Sequence, residues 1–205
     1  MITRYLAFTN SEVKFADIMH FENGFAFPSR SYLSEGQYKI ITIKNVQDGQ
    51  IDSANVSYVN ELPFRMKEGC KLCIGDVLLS LTGNVGRVGI VCEDNLLLNQ
   101  RVAKFVPHSK ELLPFLYFVF RQSKIKAKLE SISRGTAQAN LSPVETLDLT
   151  IKFEQTSAEL LSMQLEPLYQ ALIHNTQEIS TLVVIRDTLL PKLMSGELDV
   201  SEIDI

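Results

Sequence analysis

The residues best suited to chemistry lie in a glycine-spaced stretch, residues 78–91, which has the sequence LLSLTGNVGRVGIV. Glycines at this spacing serve either a loop whose main-chain amides hold a phosphate or a turn between two strands. A phosphate loop needs a lysine followed by serine or threonine at the start of a helix, and a dinucleotide loop also opens a helix. Neither follows here, because Val88 and Ile90 favour a strand. We therefore predict a strand–turn–strand unit that leaves the side chains of Asn84 and Arg87 exposed.

Cysteine and histidine residues are the other candidates for a chemical centre. Cys70 and Cys73 have the spacing of half a zinc site, and Cys92 with His108 would be needed to complete it. The pair is single and its would-be partners come from unrelated contexts, so we predict no metal ligands. The three histidines are scattered, with no serine, cysteine or carboxylate beside them in the pattern of a nucleophilic triad. We therefore assign no catalytic residue.

Composition places the chain among globular proteins, since 45% of its 205 residues are apolar and 21% are charged. No apolar run reaches the roughly 20 residues that cross a membrane, and no basic and apolar leader follows Met1. The three cysteines, an odd number, suit a reducing compartment. We expect a cytoplasmic protein without membrane contact.

The net charge of −4 conceals an uneven distribution. Residues 1–150 contain 17 Lys and Arg against 15 Asp and Glu, whereas residues 151–205 contain 3 against 9. The bias is strongest in residues 101–134, which carry eight basic residues and two acidic ones. Such a run is either a solvated helix face or a basic patch that attracts nucleic acid, and composition leaves both open.

Two patterns of hydrophobic spacing divide the chain near residue 153. Before this point a helix is predicted at residues 112–132, a helical turn at 17–22 and a loop at 47–60. Short strands are predicted at residues 38–43, 76–81, 87–92, 97–106 and 147–153. The predicted class is α+β, with a domain of short, mainly antiparallel strands and a few helices over residues 1–153. A long C-terminal coiled-coil helix follows within residues 154–205.

This second part begins with a helix-start signal, because Thr156 and Glu159 have the spacing of a capping box. Apolar residues then recur at alternating steps of four and three, the heptad pattern of a coiled-coil seam. The pattern keeps its phase across Pro167, so we predict a bend there rather than a break. The helix is predicted to end near Pro191 and Gly196. The seam positions are Leu161, Leu165, Leu168, Leu172, Asn175, Ile179, Leu182, Arg186, Leu189 and Leu193.

A helix of this length cannot bury such a stripe against itself. Residues 161–190 span roughly 45 Å, more than the width of a small domain, which favours pairing with a helix from another chain. Three consecutive apolar residues, 183–185, widen the face beyond a two-stranded seam, and a further partner is expected there. The alternative is that the stripe folds back over residues 1–150.

Three stretches resemble the specificity subunits of Type I restriction-modification systems. Residues 69–89, GCKLCIGDVLLSLTGNVGRVG, are similar to that family's glycine, strand and S-x-x-G-x-x-G-type turn. Residues 99–101, NQR, and 133–142, SRGTAQANLS, are similar to its NQ and G-T-x-Q-x-N-L-S signatures. Residues 185–198, IRDTLLPKLMSGEL, resemble the end of its spacer helix and are the most specific match. Of the family's proline-rich P-P-x-x-E-Q entry to that helix, only the Glu-Gln pair at residues 154–155 is kept.

The chain thus resembles half of such a subunit, with one target recognition domain and one spacer helix. The resemblance implies a non-catalytic subunit that reads one half of a bipartite double-stranded DNA target and positions modification and restriction subunits. Antiparallel pairing with the helix of a second copy, or of another half subunit, would place two recognition domains about one DNA turn apart, roughly 34 Å. No cofactor is expected on this chain, because S-adenosylmethionine, ATP and Mg²⁺ would be bound by the partner subunits.

In this interpretation residues 101–134 supply phosphate contacts, and side chains with amide or guanidinium geometry supply base contacts. The predicted DNA-binding residues are Asn84, Arg87, Gln100, Arg101, Lys124, Lys128, Arg134, Gln138 and Asn140. Two other functions stay open. A small phosphate-binding hydrolase using residues 82–89 would bind nucleotide stoichiometrically without DNA. A purely structural coiled-coil adaptor would show no salt-sensitive binding to duplex DNA.

Overall fold

The computed structural model describes residues 1–133 and 139–198, which form an α+β fold, as predicted. Its strands are short, and three sheets are present within the described residues. Its last helix is much longer than any other described element, at 40 residues. In the described part of the chain, no helix has both the length and the apolar character that crossing a membrane requires.

The central sheet contains five strands. Their bounds are β2 (Met19–Asn23), β4 (Gly49–Gln50), β7 (Val77–Ser80), β8 (Val88–Ile90) and β10 (Val102–Pro107). They lie in the order β2–β10–β7–β8–β4, and every pair is antiparallel except β4 with β8. Strand β7 is buried along its whole length. Such a strand must be covered on both faces of its sheet, because successive side chains point to opposite sides.

Two smaller sheets complete the strand layer. One has four strands in the order β5–β3–β9–β6, namely β3 (Tyr38–Ile41), β5 (Ser57–Val59), β6 (Lys71–Leu72) and β9 (Leu96–Leu98). Only β3 and β9 are parallel in it. The other pairs β1 (Glu12–Lys14) with β11 (Thr150–Lys152) in antiparallel register. This last pairing brings the two ends of the predicted domain together.

Four short helices accompany the strands, namely α1 (Ile2–Phe8), α2 (Leu113–Phe120), α3 (Ser123–Ser133) and α4 (Pro143–Asp148). Helix α2 is buried on almost every side, and its Phe120 ring lies 4.6 Å from that of Phe105 on β10. Val77 and Leu79 of β7 belong to the same core as α2, whereas Leu78 belongs to a second core on the other face. The central sheet is therefore packed between two apolar layers.

Helix α5 (Gln155–Met194) follows without interruption through Pro167 and Pro191, so the prediction of no break at Pro167 is confirmed. Its start differs from the predicted capping box. Glu154 is the N-cap, and its carboxylate accepts hydrogen bonds from the amides of Thr156 (3.1 Å) and Ser157 (2.8 Å). An acidic N-cap satisfies the free amides of the first turn and complements the helix dipole.

Several predicted boundaries are wrong, for local reasons. The predicted strand 97–106 is two strands, because Arg101 adopts a positive φ of 69° and turns the chain between them. The predicted helix 112–132 is divided into α2 and α3 at residues 121–122. The predicted helical turn at 17–22 is strand β2 after a single 3-10 turn, and the predicted loop 47–60 contains β4 and β5. The first part of the predicted strand 147–153 belongs to α4, where the Ser142 side chain accepts a hydrogen bond from the Glu145 amide (3.3 Å).

Candidate nucleic-acid interface

The glycine-spaced stretch forms an antiparallel unit of β7, a turn and β8, as predicted. Gly83 and Gly86 supply positive φ angles of 72° and 78°, which other residues rarely adopt. Their amides are already engaged, since Gly83 N–H donates to the Ala139 carbonyl (3.3 Å) and Gly86 N–H to the Ser80 carbonyl (3.1 Å). A phosphate cradle requires free amides at the start of a helix. The turn therefore does not form a phosphate loop.

Helix α3 packs against this turn. A side chain added at Gly86 would lie 3.5 Å from Leu129 Cδ1, so the turn packs closely on the helix. Leu129 and Ile125 are the buried apolar face of α3, and the opposite face carries lysines. The apolar face of α3 therefore packs on the glycine turn, and its exposed lysines Lys124 and Lys128 lie away from that contact.

Two other chain segments reach the same end of the central sheet. The Leu81 amide donates to the Arg101 carbonyl (3.0 Å), and the Leu141 amide donates to the Leu81 carbonyl (2.6 Å). Thr82 and Asn140 form an isolated antiparallel bridge. The β7–β8 turn thus lies between the turn that connects β9 to β10 and the chain at 139–141. We call this surface the β7 edge, meaning the end of the sheet at which the chain leaves β7 and not an unpaired strand.

Four of the predicted DNA-binding residues are exposed together on the β7 edge, namely Asn84, Gln100, Arg101 and Asn140. They combine amide and guanidinium groups, which are the side chains suited to hydrogen bonding with base edges. They come from three segments separated by up to about 56 positions in the chain (from residue 84 to residue 140). Sequence spacing alone does not place them on one surface.

Arg87 is less available than predicted. It is half-buried, and its guanidinium donates a 2.5 Å hydrogen bond to the Gln47 side-chain oxygen. It lines an open cleft of about 370 Å³ together with Asn84, Lys126 and Glu130. Arg87 thus helps to form the wall of this cleft next to the β7 edge.

The basic run at residues 101–134 is divided by its ion pairs. Lys104, with only 12% of its side chain exposed, contacts Glu22 (2.7 Å) and Asp76 (3.8 Å) inside the fold. Arg121 and Lys126 both approach Asp48, at 3.3 and 3.4 Å. Lys104 is therefore neutralised within the chain, whereas Arg121 and Lys126 share the single negative charge of Asp48.

The neighbouring cations change the pKa of the Asp48 carboxyl. Partial burial by itself would raise the pKa of Asp48, but the positive charges of Lys126 and Arg121 hold that pKa below its ordinary value. Asp48 therefore stays ionised to a lower pH than an isolated aspartate and remains a partner for both cations.

The cations that remain exposed are the better candidates for phosphate contacts. Lys124 and Lys128 lie on the exposed face of α3, and Lys128 donates to the Thr150 carbonyl (3.1 Å) through one of its three protons. Arg101 is exposed on the β7 edge. The remaining two predicted DNA-binding residues, Arg134 and Gln138, lie outside the described residues.

The first half of α5 packs on the domain, which the seam interpretation did not predict. Its buried residues are Ala158, Ser162, Leu165, Tyr169 and Ile173. Leu161 and Leu165 were predicted to face a partner helix, and that prediction is wrong. Leu165 is buried in the chain's own core, and Leu161 is packed against that core. The alternative in which the stripe folds back on the domain is therefore correct for this half of the helix.

The remaining seam positions are exposed. Leu168, Leu172, Asn175, Ile179, Leu182, Arg186 and Leu189 all face solvent, and so do the three apolar residues at 183–185. Ile179 and Leu182 are 61% and 56% exposed. Beyond Gln177, whose side-chain amide donates to the Cys92 carbonyl (3.0 Å), the helix carries an apolar face that the described part of the chain does not cover.

The cysteines make no pair. Cys70 is buried, Cys73 is exposed, and all three thiols are free. Burial and the nearby Glu22 charge raise the pKa of the Cys70 thiol. Among residues 1–133 and 139–198, no group of three or more His, Cys, Asp or Glu side chains is placed to hold a metal ion.

The sequence reasoning missed the segment at residues 61–67, which projects beside the same sheet. Its two basic residues, Arg65 and Lys67, line a groove along strand β2. The available signal was the succession Phe64, Arg65 and Lys67, an aromatic side chain followed by two cations, in a stretch not assigned to any element.

Comparison with known proteins identifies the relatives of this fold. Residues 9–153 match the family described as the Type I restriction modification DNA specificity domain. The Type I restriction enzyme MjaIX specificity subunit of Methanocaldococcus jannaschii is 23% identical over 210 residues, which cover 98% of this chain and 41% of that protein. The HindI specificity subunit of Haemophilus influenzae is 28% identical over 147 residues, covering 69% of this chain and 29% of that protein. The chain thus spans less than half the length of these two curated relatives.

Solved structures show the same fold. The S subunit of a Type I restriction-modification system from M. genitalium superposes with a TM-score of 0.57 and 22% identity over 94% of this chain and 48% of that one. The HsdS subunit from Thermoanaerobacter tengcongensis gives a TM-score of 0.51 and 18% identity over 96% of this chain and 50% of that one. The predicted α+β architecture with a long terminal helix is confirmed by these neighbours.

Proposed function

The chain belongs to the Type I restriction modification DNA specificity family, and on that premise we propose that it is a DNA-recognition subunit that reads one half of a bipartite target. The observation that carries this proposal is the family match over residues 9–153. The β7 edge supports it, because four amide or guanidinium side chains are exposed together there. Base contacts from the β7 edge would provide sequence specificity, and phosphate contacts from Lys124 and Lys128 would provide affinity.

The exposed half of α5 supports the second part of the proposal, pairing with another spacer helix. Its apolar positions from Leu168 to Leu193 keep the heptad spacing while lying uncovered by the described residues. Burial of such a stripe is the main source of free energy for helix association in water. A second copy, or another half subunit, is the proposed partner. Asn175 and Arg186 at seam positions would fix the register of the pair.

Chemistry is assigned to partner subunits. Modification subunits would supply methyl transfer from S-adenosylmethionine, and a restriction subunit would supply ATP- and Mg²⁺-dependent cleavage. This chain would place them relative to the DNA and contribute no catalytic residue. The apolar residues at 183–185, all exposed, are the proposed docking site for the modification subunits.

The direct test is the pattern of adenine methylation in the host genome, compared with and without the gene for this chain. We expect one two-part motif to lose methylation when the gene is deleted. An unchanged methylation pattern, together with an intact set of modification genes, would contradict the proposal.

The two alternatives have their own outcomes. The hydrolase is disfavoured because the Gly83 and Gly86 amides are already hydrogen-bonded and no helix follows the turn. Stoichiometric nucleotide binding by the isolated chain would restore it. The structural adaptor would be favoured if the chain, assembled with its modification subunits, bound duplex DNA no better at low salt than at high salt.

A further inference from the structure

We propose that the turn at residues 63–66 inserts Phe64 into duplex DNA as an apolar wedge, with Arg65 and Lys67 contacting the flanking phosphates. This inference rests on the proposed DNA-recognition function and names a contact outside the β7 edge. Proteins that bend DNA commonly insert a phenylalanine or an aliphatic side chain between adjacent base pairs.

The turn presents its tip in a fixed geometry. The Met66 amide donates to the Pro63 carbonyl (2.8 Å), which closes a four-residue turn with Phe64 and Arg65 at its centre. Leu62 and Met66, on either side, pack against the small core formed around Ile40. The tip is therefore anchored at both ends by buried apolar contacts.

Phe64 itself contacts almost nothing in the chain. Its relative exposure is 104%, the highest value among the large apolar side chains of the described residues. A single exposed apolar side chain is common on protein surfaces. Phe64 differs in being held at the tip of an anchored turn beside the two cations Arg65 and Lys67, which is the arrangement that an inserting side chain needs.

A groove lies between this turn and strand β2. It has a volume of about 510 Å³ and runs along the outer strand β2, between His20 and Phe25, with Arg65 and Lys67 on its opposite wall. At its end, the Gln100 amide donates to the Phe25 carbonyl (2.9 Å). Phe25, which lines the groove, is thus bonded directly to the β9–β10 turn, which carries exposed Gln100 and Arg101.

Gly24, which also lines the groove, packs against the end of β9. A Cβ at Gly24 would lie 2.1 Å from the carbonyl oxygen of Asn99, so the two chain segments are in direct main-chain contact there. Leu97 of the same strand β9 belongs to the small core on which Leu62 and Met66 pack, so β9 contacts both the groove and the residues that anchor the 63–66 turn.

Charge favours a nucleic acid over a protein as the partner. Within the described residues, Arg65 and Lys67 are exposed and make no ion pair, whereas the acids Glu22 and Glu68 are each paired with a lysine. Glu22 in the groove is paired with Lys104 (2.7 Å), and Glu68 with Lys71 (3.0 Å). Of the charged residues in segment 61–67, only Glu61 is acidic. The aromatic ring of Phe64 can stack on bases, and the two cations can contact the phosphates on either side.

The test uses the chain assembled with its modification subunits. Wild-type complex selects duplexes from a random-sequence pool, and 2-aminopurine is then placed at successive positions of the selected duplex. We expect fluorescence to rise at one base step, because the wedge unstacks it. Phe64→Ala should abolish that rise and weaken binding about tenfold, whereas Phe64→Leu should retain both, since an aliphatic side chain also acts as a wedge.

Leu160→Ala is the matched control, because Leu160 is another exposed apolar side chain (57%) on a different surface. It should leave both signals unchanged. Full exposure of Phe64 means that its replacement should not alter the unfolding midpoint.

The possible outcomes distinguish the wedge from the proposed DNA-recognition function. If wild type selects a duplex but Phe64→Ala gives the same affinity and fluorescence, the wedge is refuted and DNA recognition stands. If Phe64→Ala instead weakens only the assembly with modification subunits, the turn is a protein contact and the wedge is again refuted. If wild type selects no duplex, the proposed function fails and the wedge fails with it.

Discussion

The hydroxyl of Tyr169, in the first half of α5, donates a hydrogen bond to the main-chain carbonyl of Gly75, 94 residues earlier in the chain. Gly75 adopts a positive φ of 92° in the tight turn that leads into β7. The Tyr169 ring also contacts Tyr117 edge-on, with ring centroids 5.4 Å apart. This contact fastens the long helix to the central sheet, just before the helix leaves the domain.

Tyr169→Phe removes only this hydrogen bond and leaves the Gly75 carbonyl without that donor. We expect the free energy of unfolding to fall by about 1 kcal/mol, the usual loss for a buried hydrogen bond. Tyr169→Ala also removes the ring and should lower it by about 3–5 kcal/mol. Urea unfolding followed by circular dichroism measures both. Equal stability of Tyr169→Phe and wild type would show that the bond contributes nothing to holding the helix.

Alkaline pH should destabilise the fold through the same residue. Burial raises the pKa of Tyr169 well above its ordinary value of 10.0. In the unfolded chain the phenol ionises near 10.0, while the folded chain keeps it neutral to higher pH. The stabilisation is therefore complete below that pH and declines as the pH rises above it.

The measurement is the free energy of unfolding at several pH values above and below 10, for wild type and Tyr169→Phe. The difference between the two proteins isolates Tyr169 from lysines that titrate in the same range. A phenylalanine variant that loses stability with pH as steeply as wild type would contradict the assignment.

The two halves of α5 should respond differently to substitution. Ile179 is 61% exposed, so Ile179→Asp should prevent helix pairing while leaving the stability of the monomer within about 0.5 kcal/mol. Leu165 is 3% exposed and lies in the core, so Leu165→Ala should destabilise the fold by about 2–5 kcal/mol. Light scattering gives the oligomeric state and urea unfolding the stability. An oligomer that persists in Ile179→Asp would show that this face does not mediate pairing.

Phosphate contacts should appear in the salt dependence of DNA binding. Arg101→Ala and Lys124→Ala should each reduce the slope of log affinity against log salt by about 1, because each removes one neutralised phosphate. Both residues are exposed, Arg101 on the β7 edge and Lys124 on α3. Lys192→Ala is the control, since Lys192 lies at the far end of α5 and pairs with Glu197 (3.3 Å). Fluorescence anisotropy with a duplex pool at several salt concentrations gives the slopes. If the control changes the slope as much as the two variants do, the assignment of phosphate contacts to this surface is wrong.

The sequence by itself determined the features that depend on local pattern. Glycine spacing and β-branched residues at 78–91 are sufficient to specify strand, turn and strand, because positive φ angles at Gly83 and Gly86 and extended neighbours are properties of single residues. Heptad spacing likewise predicted a long helix, and the short signatures at residues 69–89, 99–101, 133–142 and 185–198 predicted the family.

Tertiary structure alone decided which of those residues are available. Lys104 and Lys124 are equivalent in a charge count, but pairing with Glu22 neutralises one and leaves the other exposed. Leu165 and Ile179 occupy the same heptad seam, but contact with the sheet buries only the first. Exposure and neutralisation depend on where distant segments meet, and residue spacing does not encode those meetings because ion pairs and apolar contacts act over a few ångströms in space, whatever the separation along the chain.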